Sequence, residues 1–537
     1  MKKATSAQTR SLLASLYDPV SFRQSATRHK IQTLAQVVTT GEAAALPDLA
    51  PLLLDSNVRV AQAAADTIHA LLKTLRPTDY AWLDQLMRIR SPYRWSASDE
   101  WFTLKKSGVA RLQSLGDSSV VALGMATFHS SGYVRQEAVR RLASAHDGAE
   151  LPFLILRLND WVVPIRITAD LLIRERLTAK YADSFAANLS LLQRVWLTQR
   201  GQYSGIQDSI ASLLTSEVGT QAIRRGLTSD DLEVRRACYK FAFQFACLDP
   251  AFLLEQALRT RDPAVRVLAI QKGAELPNAV LKPHLERAGR DSYPPVRRKA
   301  LEISADRFPA EAQVLLDKTL LDPHPSVRGY AQFRMATDFT VDLAEFYRRV
   351  LADPDSATLY AAISGLGETG AAKDAGLILP HVSAPLPRIR RAALRAMARL
   401  QPEPCLDIFK TYLLDESPSV SREAMKALSK LTHLLTGEQL WTTFMGTSTS
   451  RTQQNILFLI ARLSKWESIA YLIRAVAANE DRVSALARRY IERWSARFNS
   501  SFTLPTTVQV QRLSETLDSH ILLPREVQDQ IRFGISR

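Results

Sequence analysis

Cysteine is nearly missing from this chain, with Cys238, Cys247 and Cys405 the only three in 537 residues. Three thiols cannot build the disulfide framework of a small secreted domain, so they read as reduced thiols and point to a cytoplasmic protein. Glycine is scarce as well, at 20 residues, while hydrophobic residues make up 46% and charged residues 23%. That balance excludes a collagen-like chain and wholesale disorder. No apolar run approaches the roughly 18 residues that span a bilayer, so no membrane insertion is expected. Behind Lys2 and Lys3 the only apolar stretch is Leu12 to Leu16, too short for a signal-peptide core. Period-two alternation is never sustained, which argues against a sheet.

The spellings of familiar chemistry are also wanting. There is no G-x-x-x-x-G-K-[ST] phosphate loop and no H-E-x-x-H zinc motif. The nine histidines are scattered, without a neighbouring ligand at metal spacing. Gly365-x-Gly367-x-x-Gly370 matches the dinucleotide-binding spelling, but that motif works only between a strand and a helix. In a helical chain these glycines read as the end of a helix. No Ser/His/Asp or Cys/His set can be assembled from spacing, and Cys238 reads as a core residue. No catalytic residue, metal or cofactor is expected.

What the chain does have is a period. A β-branched residue followed by Arg, with a small residue four positions after the first, recurs through the sequence. It stands at Val134-Arg135 with Ala138, Ile165-Arg166 with Ala169, and Val234-Arg235 with Cys238. It returns at Val265-Arg266, Val296-Arg297, Val327-Arg328 and Ile389-Arg390. Val420 and Val483 keep the frame with Ser421 and Ser484 in place of Arg, and Thr358 with Ala362 fills the skipped slot. The starts at 134 and 165, those from 234 to 327, and those at 389 and 420 follow one another at 31 residues. Such phase over so long a stretch marks a repeat array.

Each unit begins with an apolar helical stretch, such as Ala251–Leu258, and then a turn carrying Asp or Pro. Asp262-Pro263, Asp291 with Pro294-Pro295, Asp322-Pro323 and Asp353-Pro354 mark four of the turns. Proline there is expected to stop the first helix and Asp or Ser to cap the second. Counting the β-branched residue as position V, the anchors at V, V+4 and V+8 form the buried stripe of that second helix.

The pattern resembles HEAT repeats of the short bacterial variety also found in phycobilin lyases. It is closest between Asp353 and Leu400, where Gly365-Leu366-Gly367-Glu368-Thr369-Gly370 ends one unit and Pro387-Arg388-Ile389-Arg390-Arg391-Ala392-Ala393 opens the next helix. The resemblance implies an all-α, right-handed α-solenoid of about 13–14 helix pairs. The expected layout has capping helices over 1–40 and a first repeat over 41–75. An aromatic and basic insertion over 76–108 precedes the array over 109–498, and a linker with C-terminal capping helices fills 499–537. Gly201 to Gly205 reads as a loop where the rhythm slips.

Two features are candidates for function. In HEAT proteins an Arg at V+1 commonly pairs with a turn Asp. The resemblance therefore implies a structural ladder, with Asp160, Asp230, Asp262, Asp291 and Asp322 near the required places. Beside that row, V+2 and V+6 hold Arg236 with Lys240, Arg391 with Arg395, and Arg422 with Lys426, joined by Arg140, Arg298 and Arg489. The second helices of such solenoids line the concave surface, so these side chains are expected in a basic groove, one repeat about 10 Å from the next. The alternative is a solvated face that keeps the array soluble, helped by Glu137 and Glu423. The insertion is the second feature, with Tyr80, Trp82, Tyr93, Trp95, Trp101 and Phe102 among Arg88, Arg90, Arg94, Lys105 and Lys106. Such a mixture can stack bases or anchor a protein. It can equally be the buried side of a longer helix pair.

The net charge of +15 favours a negative partner. The reading that follows is a non-enzymatic scaffold holding a protein or peptide, one with an acidic surface, in its groove. Arg90, Tyr93, Arg94, Trp82, Trp95 and Trp101 of the insertion would join the stripe as contacts. A nucleic-acid-binding protein using the same stripe is the alternative. An enzyme is a third class, either a lyase or a base remover like the HEAT-like alkylpurine DNA glycosylases, with Asp84 or Asp99 at the lesion. Neither aspartate matches that family's motif. HEAT-repeat hydroxylases use repeated His-Glu dipeptides, and none occurs in this sequence.

Overall fold

The computed structural model describes residues 4–17, 26–88, 100–198, 204–353, 355, 357–478, 482–518 and 523–536. Among them every regular element is a helix, and the chain divides into two compact units, Met1–Ala288 and Gly289–Arg537. Each unit is an all-α solenoid of helix pairs, stacked in chain order.

The second helix of each pair is built as its sequence demands. In Pro387–Leu400, Ile389, Ala393 and Met397 are buried along one stripe, and Val420, Ala424 and Leu428 repeat the pattern in Pro418–Leu428. Proline plays a different part from the one expected. Pro263, Pro294, Pro325, Pro387 and Pro418 each begin a second helix. The amides of that first turn have no partner inside the helix, so a residue without an N–H loses nothing there. Asp262 does cap its helix, accepting from the amide of Ala264.

The arginines at V+1 explain their own regularity. In all seven, one guanidinium nitrogen donates to the carbonyl six residues earlier: Arg135 to His129, Arg166 to Asp160, Arg235 to Ser229, Arg266 to Thr260, Arg297 to Asp291, Arg328 to Asp322 and Arg390 to Ala384. Each therefore closes the turn before its own helix, where a carbonyl would otherwise lack a donor. Where Arg is replaced, Gln keeps the carbonyl six residues back, while Ser bonds one eight residues back. Gln453 donates to the carbonyl of Thr447, and Ser421 and Ser484 donate to those of Leu413 and Val476.

The same guanidinium also reaches the next repeat. Arg135 grips both oxygens of Asp160 at 2.9 and 2.8 Å, Arg297 those of Asp322 at 2.8 Å, and Arg390 those of Asp415 at 2.9 Å. Each of these aspartates accepts the backbone amide two residues on, so one carboxylate ties the turn to the helix of the preceding repeat. The ladder departs from expectation in three places. Asp230 takes no part, because the neighbouring Asp231 caps helix Leu232–Phe245. Asp262 is held by Arg236, one position later than V+1. Arg328 pairs with Glu368 at the far end of helix Leu359–Thr369 instead of with a turn aspartate.

Gly365 and Gly367 are also placed otherwise than expected. Both lie buried inside helix Leu359–Thr369, and only Gly370 closes it. A Cβ on Gly365 would fall 2.2 Å from the Tyr347 ring, and one on Gly367 would fall 2.4 Å from the Ala396 methyl. Here glycine lets helices Leu359–Thr369 and Pro387–Leu400 approach each other closely. A continuous core runs through this unit from Leu301 to Ile531. Helices Thr507–Asp518 and Arg525–Ile535 pack on its last pair.

Candidate partner interface

In the second unit the second helices follow one another in direct contact from Leu359–Thr369 to Arg482–Ala496. Their V+2 and V+6 positions therefore run along one face. Arg391, Arg395 and Lys426 come together there around Glu423, a buried carboxylate on Pro418–Leu428, and Arg422 is exposed on the same helix. Arg395 holds Glu423, with Nε donating at 2.8 Å. Burial pushes the Glu423 carboxyl up, but the hydrogen bond and charge of Arg395 and the charges of Lys426 and Arg391 bring it below the usual carboxylate range. Among the described residues Arg391, Arg422 and Lys426 form no ion pair within 4 Å, and Nε of Arg391 is buried without a hydrogen-bond partner. This part of the stripe is basic and partly uncommitted.

Elsewhere the stripe is mixed. Arg236, expected in the groove, is spent on the ladder, paired with Asp262 at 2.7 and 2.9 Å. Arg298 bonds Glu302 on its own helix at 2.9 Å. Arg140, Lys240 and Arg489 are exposed, with no ion pair among the described residues. Several of the most regular charges thus answer a carboxylate a turn or a repeat away.

The same face takes another character in the first unit. On helix Val163–Glu175 the V+2 and V+6 positions are Ile167 and Leu171, 56% and 55% exposed. Val163 precedes them at the same spacing and is 51% exposed, Trp161 in the turn before it is 72% exposed, and Tyr133 at the start of the adjacent helix Gly132–Arg141 is 76% exposed. A side chain on Gly132 would touch Val162, so the start of that helix abuts this turn. The pattern of arginines does not mark these apolar residues, because in this repeat V+2 and V+6 are Ile and Leu.

The described aromatic residues of the insertion are buried or half-buried, while Lys105 and Lys106 are exposed. Trp101 is completely buried and meets the His129 ring edge-on at 5.7 Å, so it offers a partner nothing. Tyr80 packs edge-on against Phe153 at 5.4 Å, and burial pushes its phenol up to about 12. Trp82 is half-buried on helix Asp79–Leu86. Arg90, Tyr93, Arg94 and Trp95 lie outside the described residues, as does Asp99. Asp84 is engaged by Arg88 at 2.9 Å and by buried Arg157 at 2.7 Å, and Arg157 also holds Asp160. The aspartate considered for base removal is thus one end of a structural ion network.

No arrangement for chemistry emerges from the thiols. Cys238 is sealed in the core, and burial pushes its thiol up to about 12, far from the thiolate range. Among the described residues no group of three or more His, Cys, Asp or Glu could hold a metal ion, and no helix is long and apolar enough to cross a membrane.

No protein-family model matches this sequence, and comparison with curated proteins finds no relative. Among solved structures, importin beta in a polyethylene glycol condition is similar at 12% identity and a TM-score of 0.35, over 99% of this chain and 81% of that one. Importin beta in an ammonium sulfate condition is similar at a TM-score of 0.33 and 12% identity, over 99% and 78% of the two chains. The karyopherin Kap121p bound to the SUMO protease Ulp1p follows at 0.28 and 13% identity, over 99% of this chain and 57% of its own. Superpositions this loose carry nothing about a partner, and the solenoid architecture stands on the stacking and the arginine clamps of the chain itself.

Proposed function

We propose that this chain is a non-enzymatic scaffold of HEAT-like helix pairs that holds a protein partner on the exposed side of its second helices. The apolar row of the first unit and, separately, the basic residues of the second are the two contact surfaces this reading uses. The observation that carries the reading is the exposed row Val163, Ile167 and Leu171 beside Trp161 and Tyr133. A solvated face has no use for such a row, and exposed apolar patches of this kind mark protein contacts. Phosphate tracking would call for unbroken positive charge along the stripe, whereas Asp262, Glu302 and Glu423 neutralise it at intervals. The 31-residue spacing supports the short bacterial variety of the repeat, and three free thiols support a reducing compartment such as the cytoplasm.

The test is a photo-crosslinking amino acid placed at Ile167 or Leu171, and separately at Arg422 or Lys426, in the intact chain within cells. A discrete protein adduct at 167 and 171, insensitive to nuclease, is the expected result. Nuclease-sensitive adducts at 422 and 426, with none at 167 and 171, would overturn the reading in favour of nucleic acid. Fluorescence anisotropy of labelled single- and double-stranded DNA and RNA, at low and near-physiological salt, separates the same two readings with purified protein.

A further inference from the structure

Most arginines of the frame answer a carboxylate, and three exposed ones near the C-terminal end of the chain do not. Arg462, Arg493 and Arg497 border a cavity of about 310 Å³ together with Phe458, Tyr490 and Trp494. Among the described residues no carboxylate lines the cavity, and none lies within 4 Å of any of the three guanidiniums. Arg462 follows helix Ser450–Ile460, Arg493 lies in the last turn of helix Arg482–Ala496 and Arg497 just beyond it, so separate stretches of chain deliver charge to one place.

The aromatics hold that charge in position. The Arg462 guanidinium stands 4.6 Å from the centre of the Phe458 ring, and that of Arg493 stands 5.7 Å from the centre of Tyr490. Cation–π contacts of this kind fix a guanidinium without neutralising it. Burial pushes the Tyr490 phenol up, while the charges of Arg493 and Arg462 act in the opposite direction. Lys465 adds a further positive charge but is committed to the frame. Its ammonium donates to the carbonyls of Phe498 and Ser501 at 2.7 and 2.9 Å and lies 4.0 Å from the centre of the Phe498 ring. The Trp494 indole donates to the Lys465 carbonyl at 2.8 Å, which locks the wall it forms.

Three like charges around one cavity repel each other, and a dianion among them would relieve that repulsion through charge-assisted hydrogen bonds. The volume is that of a small-ligand site, and the walls offer flat aromatic surface beside the charge. We propose that this cavity binds a phosphate monoester of a flat-ring compound, of which a nucleoside monophosphate is the simplest form. The guanidiniums of Arg462, Arg493 and Arg497 take the phosphate, and the ring packs against Tyr490 and Trp494. This site is independent of the protein-binding faces.

Isothermal titration calorimetry of the full chain at low ionic strength with adenosine monophosphate, inorganic phosphate and adenosine tests the proposal. The monophosphate is expected to bind at one site, about tenfold or more tighter than phosphate, with no heat from adenosine. The triple variant R462Q/R493Q/R497Q, at three exposed positions, should lose that binding by about 30-fold or more with its melting temperature unchanged. The variant R391Q/R422Q/K426Q should keep it. Monophosphate binding no tighter than phosphate, no binding at all, or binding that survives the first variant and disappears in the second would each overturn the proposal.

Discussion

Helix Val163–Glu175 in the first unit and helices Pro387–Leu400 and Pro418–Leu428 in the second occupy the same slot of the same repeat. At V+2 and V+6 one shows Ile167 and Leu171 to solvent, while the others carry Arg391, Arg395, Arg422 and Lys426. The V+1 arginines Arg166 and Arg390 nonetheless clamp the carbonyl six residues back in the same way. The difference teaches that the repeat separates its tasks by position. V, V+4 and V+8 answer to stacking and V+1 to the turn, while V+2 and V+6 diverge, some bonding a carboxylate of a neighbouring repeat and others facing only solvent.

The largest expected effect breaks the constant part. Arg135→Met removes one of the two arginines that hold Asp160, a carboxylate with no side-chain exposure, and leaves it Arg157 alone. Breaking such a pair costs about 3–5 kcal/mol. Urea denaturation should show that loss, whereas Arg422→Ala, on an exposed V+2 position, should stay within about 0.5 kcal/mol of the parent. Equal losses would erase the distinction between frame and face.

The next effect bears on the face itself. Ile167→Asp with Leu171→Asp should weaken binding of the crosslinked protein partner about 30-fold, the loss of about 2 kcal/mol typical of an interface anchor. The melting temperature should hold, since both side chains are already in water. R391Q/R422Q/K426Q should act differently on the same complex, with a smaller loss that shrinks as salt is added. If the two variants give the same salt dependence, the faces do not differ in the way their chemistry states.

A third effect separates the frame from the face by pH. Asp160 and Glu368 are pushed up by burial, but hydrogen bonds and charge from Arg135, Arg157 and Arg328 bring both below the ordinary range. Asp262 is lowered by its bond to Arg236, and Asp374 by its bond to Arg348. A carboxyl depressed on folding contributes stability above its unfolded value near 4 and loses it as the pH falls through the folded value. Urea midpoints should therefore be level from about pH 7 to pH 5 and fall below about pH 4. Asp262→Asn should lower the plateau and flatten the fall. A midpoint that declines equally above pH 5 would mean that other groups set the acid limit.

Much of the fold was legible because the signal is periodic. A buried stripe must recur with the repeat, and so must the arginine that closes each turn, so Val265 and Arg266 or Ile389 and Arg390 announce both roles. Pairing was less legible. Arg235 and Arg236 are adjacent and identical in type, yet only Arg236 bonds Asp262, while Arg235 closes its own turn on the Ser229 carbonyl. Gly365 and Gly367 read as a helix end because a sequence does not show that a Tyr347 ring and an Ala396 methyl press against them. The exposed apolar row was invisible for a different reason. Ile and Leu on an amphipathic helix look like core, and only burial shows that Val163, Ile167 and Leu171 fall on the side away from Ile165, Ala169 and Leu172.

The smallest effect sharpens the basic side of the comparison. Glu423 sits among Arg391, Arg395 and Lys426 as the carboxylate that tempers them. Glu423→Gln leaves the shape of the side chain and adds one net positive charge to this face. The lost pair with Arg395, whose side chain is half-exposed, is worth about 1 kcal/mol or less. Released from Glu423, Arg395 becomes available beside Arg391 and Lys426. A fluorescent poly-glutamate peptide should then bind about two- to fivefold more tightly at low salt, and the gain should fade near physiological salt as screening sets in. Arg391→Gln should move the affinity the opposite way by a similar factor, while Ile167→Asp should leave it unchanged. Opposite shifts from two substitutions on adjoining helices, at nearly constant stability, are what a contact surface produces. If Glu423→Gln left peptide binding unchanged or weaker, Arg395 and its neighbours would be a solvated face, and the recognition of acidic partners would have to lie elsewhere on the chain.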